Sequence, residues 1–258
     1  MESRTMTGIS WIPALAGALV LVLLGIGTAS AFAWENETVD AAGWVGEYTS
    51  LALDGAGNPR ISYYDGSNAD LKFAWRDGTG WHTQTVDAAG WVGEYTSLAL
   101  DGAGNPCISY FDRTNGDLKY AWRDGTGWHT LTPDAGGTVG LYTSLALDGT
   151  GNPCIGYYDY TNGDLRFAWR DGIGWHRETV DAAGDVGEYA SLALDGAGNP
   201  RISYYDGSNA DLKFAWHHGA AWYTETVDAP LMVGEYTSLA LTDTGSPRIS
   251  YFTTISSS

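Results

Sequence analysis

Acidic and amide side chains recur along this chain in a form that could hold a cation or accept hydrogen bonds from a ligand. Four segments carry two aspartates and an asparagine: DGSNAD (65–70), DRTNGD (112–117), DYTNGD (159–164) and DGSNAD (206–211). Such oxygens can bind Ca²⁺, but the spacing is not that of an EF-hand loop. Asp and Asn side chains also cap tight turns. The pattern therefore favours capped hairpin turns, and we predict no bound metal or cofactor.

Two tryptophans, Trp44 and Trp91, could offer flat apolar surfaces to a sugar ring. The corresponding positions later in the chain are Thr138, Asp185 and Met232. A position that varies so freely between near-identical segments does not behave as a core position. We therefore expect both indoles to be partly exposed and to be the better ligand candidates. Surface drift is the alternative, because single exposed apolar residues are normal.

These positions belong to a tandem repeat of 47 residues. The interval is marked by Trp34, Trp81, Trp128, Trp175 and Trp222. Segments 46–75 and 187–216 differ at one position only, Thr49 against Ala190. Large aromatic side chains dominate buried area, so this tryptophan series is expected in the core between repeats. The sugar-platform role is the alternative for it.

Each repeat is predicted to form four strands. In the first repeat they are TSLALD (49–54), RISYYD (60–65), DLKFAWRD (70–77) and WHTQTVD (81–87), separated by Gly, Asn and Asp turns. The alternation places Leu71, Phe73 and Trp75 on one face of the third strand, and the turn residues between the segments indicate three hairpins. One four-stranded antiparallel sheet per repeat of this length is typical of a propeller. We predict an all-β, five-bladed β-propeller whose last blade is incomplete.

Complete blades are expected at 48–87, 95–134, 142–181 and 189–228. The fifth has only its two inner strands, at 236–242 and 247–253, and lacks the third strand. We expect the orphan outer strand at 34–40 to close the ring approximately beside this blade. An unpaired edge recruits other strands, so the last blade could alternatively join another chain.

In a propeller, the connectors between blades and the turns between the second and third strands of each blade open on the same rim. This rim is the predicted ligand-binding surface. Its candidate residues are Trp44, Glu47, Asp65, Asn68, Asp70, Trp91, Glu94, Asp112, Asn115 and Asp117.

Catalysis needs an asymmetric set of groups within hydrogen-bond reach. Near-identical repeats copy each residue around a ring instead, and no set unique to one blade stands out. His82, His129 and His176 lie on different blades, too far apart to share one metal. We therefore predict a protein that is not an enzyme.

The segments GWVGEY (43–48) and AGWVGEY (89–95), within five 47-residue repeats, resemble the five-bladed lectin tachylectin. RDGTGW (76–81) resembles a degenerate Asp-box turn of sialidase-type propellers, with its tryptophan one position early. The lectin resemblance implies multivalent carbohydrate recognition. A protein-interaction scaffold without a small ligand is the alternative. A sialidase-like hydrolase is disfavoured, because the arginine position of the second strand runs Arg60, Cys107, Cys154, Arg201, Arg248.

Residues 1–31 resemble a signal peptide, with an apolar run at 14–26 and small residues at Ala29 and Ala31. The propeller then comprises 32–258, with repeats starting near 34, 81, 128, 175 and 222. We expect cleavage after Ala31 and a secreted or cell-surface protein without a membrane span; an uncleaved anchor is the alternative. A net charge of −18 argues against nucleic acid and anionic lipid as partners. A glycan or a surface protein is the expected partner.

The two cysteines, Cys107 and Cys154, occupy the same place in adjacent repeats. Neighbouring sheets stack about 10 Å apart, and a disulfide needs Cα atoms within about 7 Å. We therefore expect two free, largely buried thiols.

Overall fold

The computed structural model describes residues 19–24, 34–229 and 231–254, and every regular element in these ranges is a β-strand. Four sheets have four antiparallel strands in sequence order, and two further sheets have two strands each. The prediction of a β-propeller with an incomplete last blade is confirmed. Among the residues described, no helix is long and apolar enough to span a membrane.

The strands follow the repeat. Two precede the first blade: β1 (Leu19–Leu24) and β2 (Trp34–Asp40). Blade 1 contains β3 (Val45–Leu53), β4 (Pro59–Asp65), β5 (Asp70–Asp77) and β6 (Gly80–Asp87). Blade 2 contains β7 (Val92–Leu100), β8 (Pro106–Asp112), β9 (Asp117–Asp124) and β10 (Gly127–Asp134). Blade 3 contains β11 (Val139–Leu147), β12 (Pro153–Asp159), β13 (Asp164–Arg170) and β14 (Trp175–Asp181). Blade 4 contains β15 (Val186–Leu194), β16 (Pro200–Asp206), β17 (Asp211–His218) and β18 (Ala221–Asp228). Blade 5 contains β19 (Val233–Leu241) and β20 (Pro247–Thr253).

The innermost strand of each blade begins earlier than predicted: β3 starts at Val45, whereas the prediction started at Thr49. In β7 the pairing with β8 shifts twice, between Val92 and Glu94 and between Glu94 and Ser97. Gly93 lies inside this irregular stretch with φ +107°, and a Cβ there would lie 2.7 Å from Cα of Leu71. The glycine therefore permits both the bulge and the close approach of blade 1. Because the bulge breaks the alternation that is typical of a strand, the sequence predicted the first strand of blade 1 only from Thr49 onwards.

Hydrophobic cores lie between consecutive blades. Leu71 and Phe73 on β5, with Trp75, pack against Leu98 and Ile108 of blade 2. The prediction that Leu71, Phe73 and Trp75 share one face is confirmed. Tryptophans of the 47-residue series are partly buried against these cores at Trp81, Trp128, Trp175 and Trp222. The side chain of Trp34 lies outside what the structure describes.

Five tyrosines form a row along the inner strands, one per blade: Tyr48, Tyr95, Tyr142, Tyr189 and Tyr236. Their rings follow one another at centroid distances of 4.5–4.7 Å. Each tyrosine has φ between 52° and 54°, a left-handed conformation that is rare outside glycine. Together with neighbouring threonines they line a cavity of about 390 Å³.

The ring of blades is open between blade 5 and blade 1. The ring of Tyr236 lies 4.5 Å from that of Tyr189 in a tilted arrangement, whereas no ring contact joins it to Tyr48 within the described chain. The inner strands of consecutive blades pack against each other, and β19 and β3 do not pack in this way. β19 and β20 form a sheet of two strands, and β2 pairs with β1. The prediction that strand 34–40 would close blade 5 is therefore wrong. The physical reason is that β1 takes the third-strand place beside β2. Asp40 of β2 makes with Tyr63 of blade 1, at 2.7 Å, the contact that each outer strand makes with the next blade.

The pairing of β1 with β2 repeats that of the third and fourth strands of a complete blade. Leu19 lies opposite Asp40 and Val20 opposite Thr38, with a shift between the two pairs. In blade 1, Leu71 lies opposite Asp87 and Lys72 opposite Thr85, with the same shift. β1 thus occupies the register of a third strand beside a fourth. The predicted signal peptide falls otherwise on residues outside the described ranges and stays a prediction.

Candidate ligand-binding rim

The connectors between blades and the turns between second and third strands lie together on one rim, as predicted. The backbone N–H of Trp44 donates to the Ser67 hydroxyl at 2.7 Å, and the N–H of Trp91 donates to the Thr114 hydroxyl at 2.7 Å. Blades 3 and 4 repeat the contact. We call this surface the connector rim. A hydroxyl in each turn holds each connector, so the side chains it presents have fixed positions.

The turn aspartates on this rim cap their own hairpins. Asp65 accepts hydrogen bonds from the backbone N–H of Ser67 and Asn68 and from the Asn68 amide, at 2.9–3.1 Å. Asp112 does the same for Asn115. Both aspartates are buried. Within the described residues, no group of three or more His, Cys, Asp or Glu side chains is arranged for a metal. The geometry agrees with the capped-turn interpretation.

The second aspartate of each turn is partly buried and close to other carboxylates. Burial raises the pKa of Asp70, and the nearby charges of Asp65 and Asp87 raise it further. Asp117 has a raised pKa for the same reasons, burial first and Asp112 next. These aspartates are more readily protonated than an ordinary exposed carboxyl, which makes them weaker acceptors at acidic pH.

The two connector tryptophans are exposed, as predicted: Trp44 by 59% and Trp91 by 43%. Their neighbours differ. The ring of Trp44 lies against Gly66, whereas the guanidinium of Arg113 lies 4.4 Å from the ring centroid of Trp91. Gly66 and Arg113 occupy the same repeat position. The second blade therefore combines an aromatic face with a fixed cation.

Arg113 also makes an ion pair with Glu94. Its Nη1 donates to Oε1 of Glu94 at 3.1 Å, while the arginine side chain stays half exposed and the glutamate is buried. The glutamate raises the pKa of the Arg113 guanidinium. The remaining N–H groups can donate to a ligand, and the second carboxylate oxygen can accept. A hydroxyl pair on a sugar ring fits this combination of donors and acceptors.

This pair lines a cleft of about 460 Å³ between blades 2 and 3. Phe111, Tyr160 and Leu141 provide its apolar surface, and Asn115 adds an amide. Of the ten predicted site residues, the structure thus brings Glu94 and Asn115 to the cleft and places Trp91 behind Arg113. Trp44, Glu47, Asn68 and Asp70 lie on the blade 1 part of the rim, where Gly66 supplies no cation.

Sequence reasoning missed Arg113 and Tyr160. The statement that no residue set is unique to one blade is corrected, because the position after the capping aspartate reads Gly66, Arg113, Tyr160, Gly207. This variation was visible in the four turn segments. Its meaning was not, because only the fold brings Arg113 against Glu94, nineteen positions earlier in the chain.

No protein-family profile matches this sequence, and no curated protein is similar to it. Its structure is similar to the SapL1 lectin in complex with alpha methyl fucoside (TM-score 0.55, 17% identity, 87% of this chain and 84% of that one). It is also similar to the Aleuria aurantia lectin in complex with Fucα1-6GlcNAc (TM-score 0.55, 16% identity, 80% and 71%).

The chain has the fold of a lectin propeller. A third similar structure is a protein of unknown function from Dyadobacter fermentans (TM-score 0.62, 10% identity, 91% and 79%). At these identities the similarity concerns the fold, and it confirms the predicted likeness to lectin propellers. In the turn between β5 and β6 of blade 1, Asp77 accepts a hydrogen bond from the N–H of Thr79 at 2.8 Å. The comparison with an Asp-box stays an interpretation.

Proposed function

We propose that this protein is a carbohydrate-binding module with its principal site at the cleft between blades 2 and 3. The observation that carries the proposal is the Arg113–Glu94 pair held against the exposed Trp91. Lectins with this fold were solved with fucose-containing ligands, so a neutral fucoside is the first ligand to test. Binding, without chemical conversion of the sugar, is the proposed activity.

A scaffold without a small ligand is the competing function, and two features favour the lectin over it. Buried tryptophans or a rim without a cleft would favour the scaffold. Instead, Trp44 and Trp91 are exposed and the rim has an open cleft lined by Arg113. The blades also differ in this position, so we propose one charged site with weaker neighbouring ones rather than several equal sites. Multivalency would then arise from unequal sites.

The chain's charge of −18 limits the choice of sugar. Arg113 is already paired with Glu94, so sialylated or sulfated glycans would be repelled by the chain's negative charge. Neutral sugars are the proposed ligands. Secretion through the predicted signal segment would place such a site where glycans are displayed.

A glycan array followed by calorimetry with methyl α-fucoside tests the function. Arg113→Gly installs the residue that blades 1 and 4 carry in that position, and we expect it to weaken binding at least about tenfold, as for a lost charge-assisted hydrogen bond. Arg123→Gly removes the same charge from the end of β9, on the opposite rim, and should leave binding unchanged. Binding only to sialylated or sulfated glycans would contradict the proposal, and so would equal effects of both variants.

A further inference from the structure

The second strand of each blade carries a position that differs sharply between blades. It is Arg60 in blade 1 and Arg201 in blade 4, but cysteine in blades 2 and 3. Nη2 of Arg60 donates to Oδ2 of Asp54 at 2.8 Å, and Arg201 pairs with Asp195 at 2.9 Å. Both guanidinium groups are mostly buried. These ion pairs lie on the rim opposite the connector rim, where the turn between the first two strands caps each blade.

In blade 3 the cation is missing but its carboxylate remains. Cys154 replaces the arginine, and the hydrogen bonds of Asp148 within the described structure come from Thr150 and Asn152. The thiol of Cys154 is buried without a hydrogen bond among those residues. A cavity of about 330 Å³ opens here between blades 3 and 4, lined by Asp148, Cys154, Phe167, Trp169, Glu178 and His217.

The other cysteine blade has a different neighbour. Tyr120 occupies in blade 2 the position of Phe167 in blade 3, and its hydroxyl contacts the Cys107 thiol. The tyrosine hydroxyl thus takes up space beside Cys107 that is open beside Cys154. The cavity in blade 3 follows from two residues together, a cysteine in place of arginine and a phenylalanine in place of tyrosine.

The cavity suits a cation. Hydrogen bonds from Thr150 and Asn152 outweigh the effect of burial and lower the pKa of Asp148 to about 2, so its carboxylate is charged under ordinary conditions. Glu178 adds a second carboxylate, one oxygen of which accepts the Trp222 indole N–H at 2.6 Å. Trp169 is the cross-strand partner of Cys154, as Trp75 is of Arg60. Its ring lines the cavity and is held in place by stacking on Phe167 and His176.

We propose that this cavity binds a small organic cation with a guanidinium or primary ammonium group, in the place that Arg60 and Arg201 fill in blades 1 and 4. The blade 1 ion pair supplies the geometry, because the same chain shows which group its turn aspartate binds. A guanidinium is favoured over an ammonium, since its planar donors match a carboxylate. This site is on the opposite rim from the proposed sugar site and does not depend on it.

Agmatine is the probe, because it carries both cationic groups on a short aliphatic chain, and butylurea is its neutral control. With the full chain we expect saturable binding of agmatine by calorimetry at neutral pH, and no binding of butylurea. Cys154→Arg supplies the missing side chain and should weaken binding at least about tenfold. Cys154→Ser keeps the cavity open and should retain it. Agmatine should raise the melting temperature of the wild type and not that of Cys154→Arg.

Two results would overturn the proposal: the wild-type chain gives no saturable binding at millimolar agmatine, or Cys154→Arg binds as the wild type does. If Cys154→Arg fails to fold, Asp148→Asn replaces it as the test. That variant keeps most of the turn's hydrogen bonds and removes the charge. Unchanged agmatine affinity in Asp148→Asn would equally overturn the proposal.

Discussion

The buried Tyr110 of blade 2 donates its hydroxyl to Asp87, the last residue of blade 1, at 2.6 Å. Lys119 of blade 2 bonds to the same carboxylate. The contact recurs at each described blade boundary: Tyr63 with Asp40, Tyr157 with Asp134, Tyr204 with Asp181 and Tyr251 with Asp228. One aspartate at the end of each blade thus fixes the position of the next.

Removing this hydroxyl should weaken the boundary between blades 1 and 2. Tyr110→Phe is expected to lower the free energy of unfolding by about 1–3 kcal/mol, because a buried carboxylate loses one of its three donors. Urea titration followed by tryptophan fluorescence measures it. Tyr251→Phe at the incomplete blade is the matched control and should cost less, since that tyrosine is only partly buried. A larger effect at Tyr251 would contradict this assignment.

Stability should fall in acid through Asp87. Burial alone would raise the pKa of this carboxyl, but hydrogen bonds from Lys119 and Tyr110 outweigh it and lower the pKa. The contribution of Asp87 is therefore complete above its unfolded pKa of about 3.9 and is lost as the pH falls through the lower folded value. Asp87→Asn should show a shallower loss of stability between about pH 5 and pH 2 in urea titrations.

Asp117 provides the opposite control. Its pKa is raised by burial first and then by the charge of Asp112, so its stabilising contribution is present in acid and lost as the pH rises through the folded value. Asp117→Asn should therefore be relatively more stable at neutral pH and steepen the loss in acid. If both variants changed the acid slope in the same direction, the two pKa directions would be wrong.

Gly93 should tolerate no side chain. Gly93→Ala is expected to lower the free energy of unfolding by at least about 2 kcal/mol, because it combines an unfavourable φ with a clash against the Leu71 backbone. Gly102→Ala, in an open turn with nothing within 4 Å, should stay within about 0.5 kcal/mol of wild type. Chemical denaturation of the two variants side by side checks this, and equal stabilities would refute the explanation of the bulge.

Trp91 should contribute to sugar binding through Arg113. If the proposed site is correct, Trp91→Ala should weaken methyl α-fucoside binding about two- to fivefold, the size of an exposed cation–π contact. Trp44→Ala removes a more exposed indole that lies against Gly66 and should leave that affinity unchanged. Calorimetry on both variants separates the two. A larger loss from Trp44→Ala would move the principal site to blade 1.

The open seam should exchange its amide hydrogens fastest. Ser250 on β20 is exposed, whereas the equivalent Ser62 on β4 is buried between paired strands. Amide hydrogen exchange should therefore be faster in 247–253 than in 59–65, since β20 has one unpaired edge. A chain that starts at residue 32 lacks β1 and should also exchange faster within β2. Equal protection of β20 and β4 in a monomer would show that the ring closes.

The fold was largely predictable, because the 47-residue period, the alternation of apolar and polar residues and the turn residues can all be seen directly in the sequence. Leu71, Phe73 and Trp75 were assigned to one face from spacing alone. The bulge at Gly93 was not, because two positive-φ residues break the alternation on which strand prediction depends. The partner of β2 was not predictable either, because residues 19–24, which form β1, belong to the apolar run that resembles a signal peptide.

The site was predicted less completely than the fold. Exposure of Trp44 and Trp91 followed from their variation among repeats, and free thiols followed from spacing. Arg113 was overlooked because its role in the proposed site depends on its contacts with Glu94 and Trp91. Only the fold brings these two residues next to it. The capping aspartates were correctly predicted as turn residues. The sequence could not show whether their carboxylates would bond within the turn or remain free for a ligand.

The backbone turn that holds Gly66, Arg113, Tyr160 and Gly207 is the same in all four complete blades, anchored each time by its aspartate and asparagine. A duplicated unit can therefore accept a new residue at this one position without disturbing its hairpin. Substitutions at this position leave the fold intact, whereas substitutions at Gly93 or Asp87 would disturb it. Duplication of blades thus lets different side chains be presented at one rim position on a constant backbone.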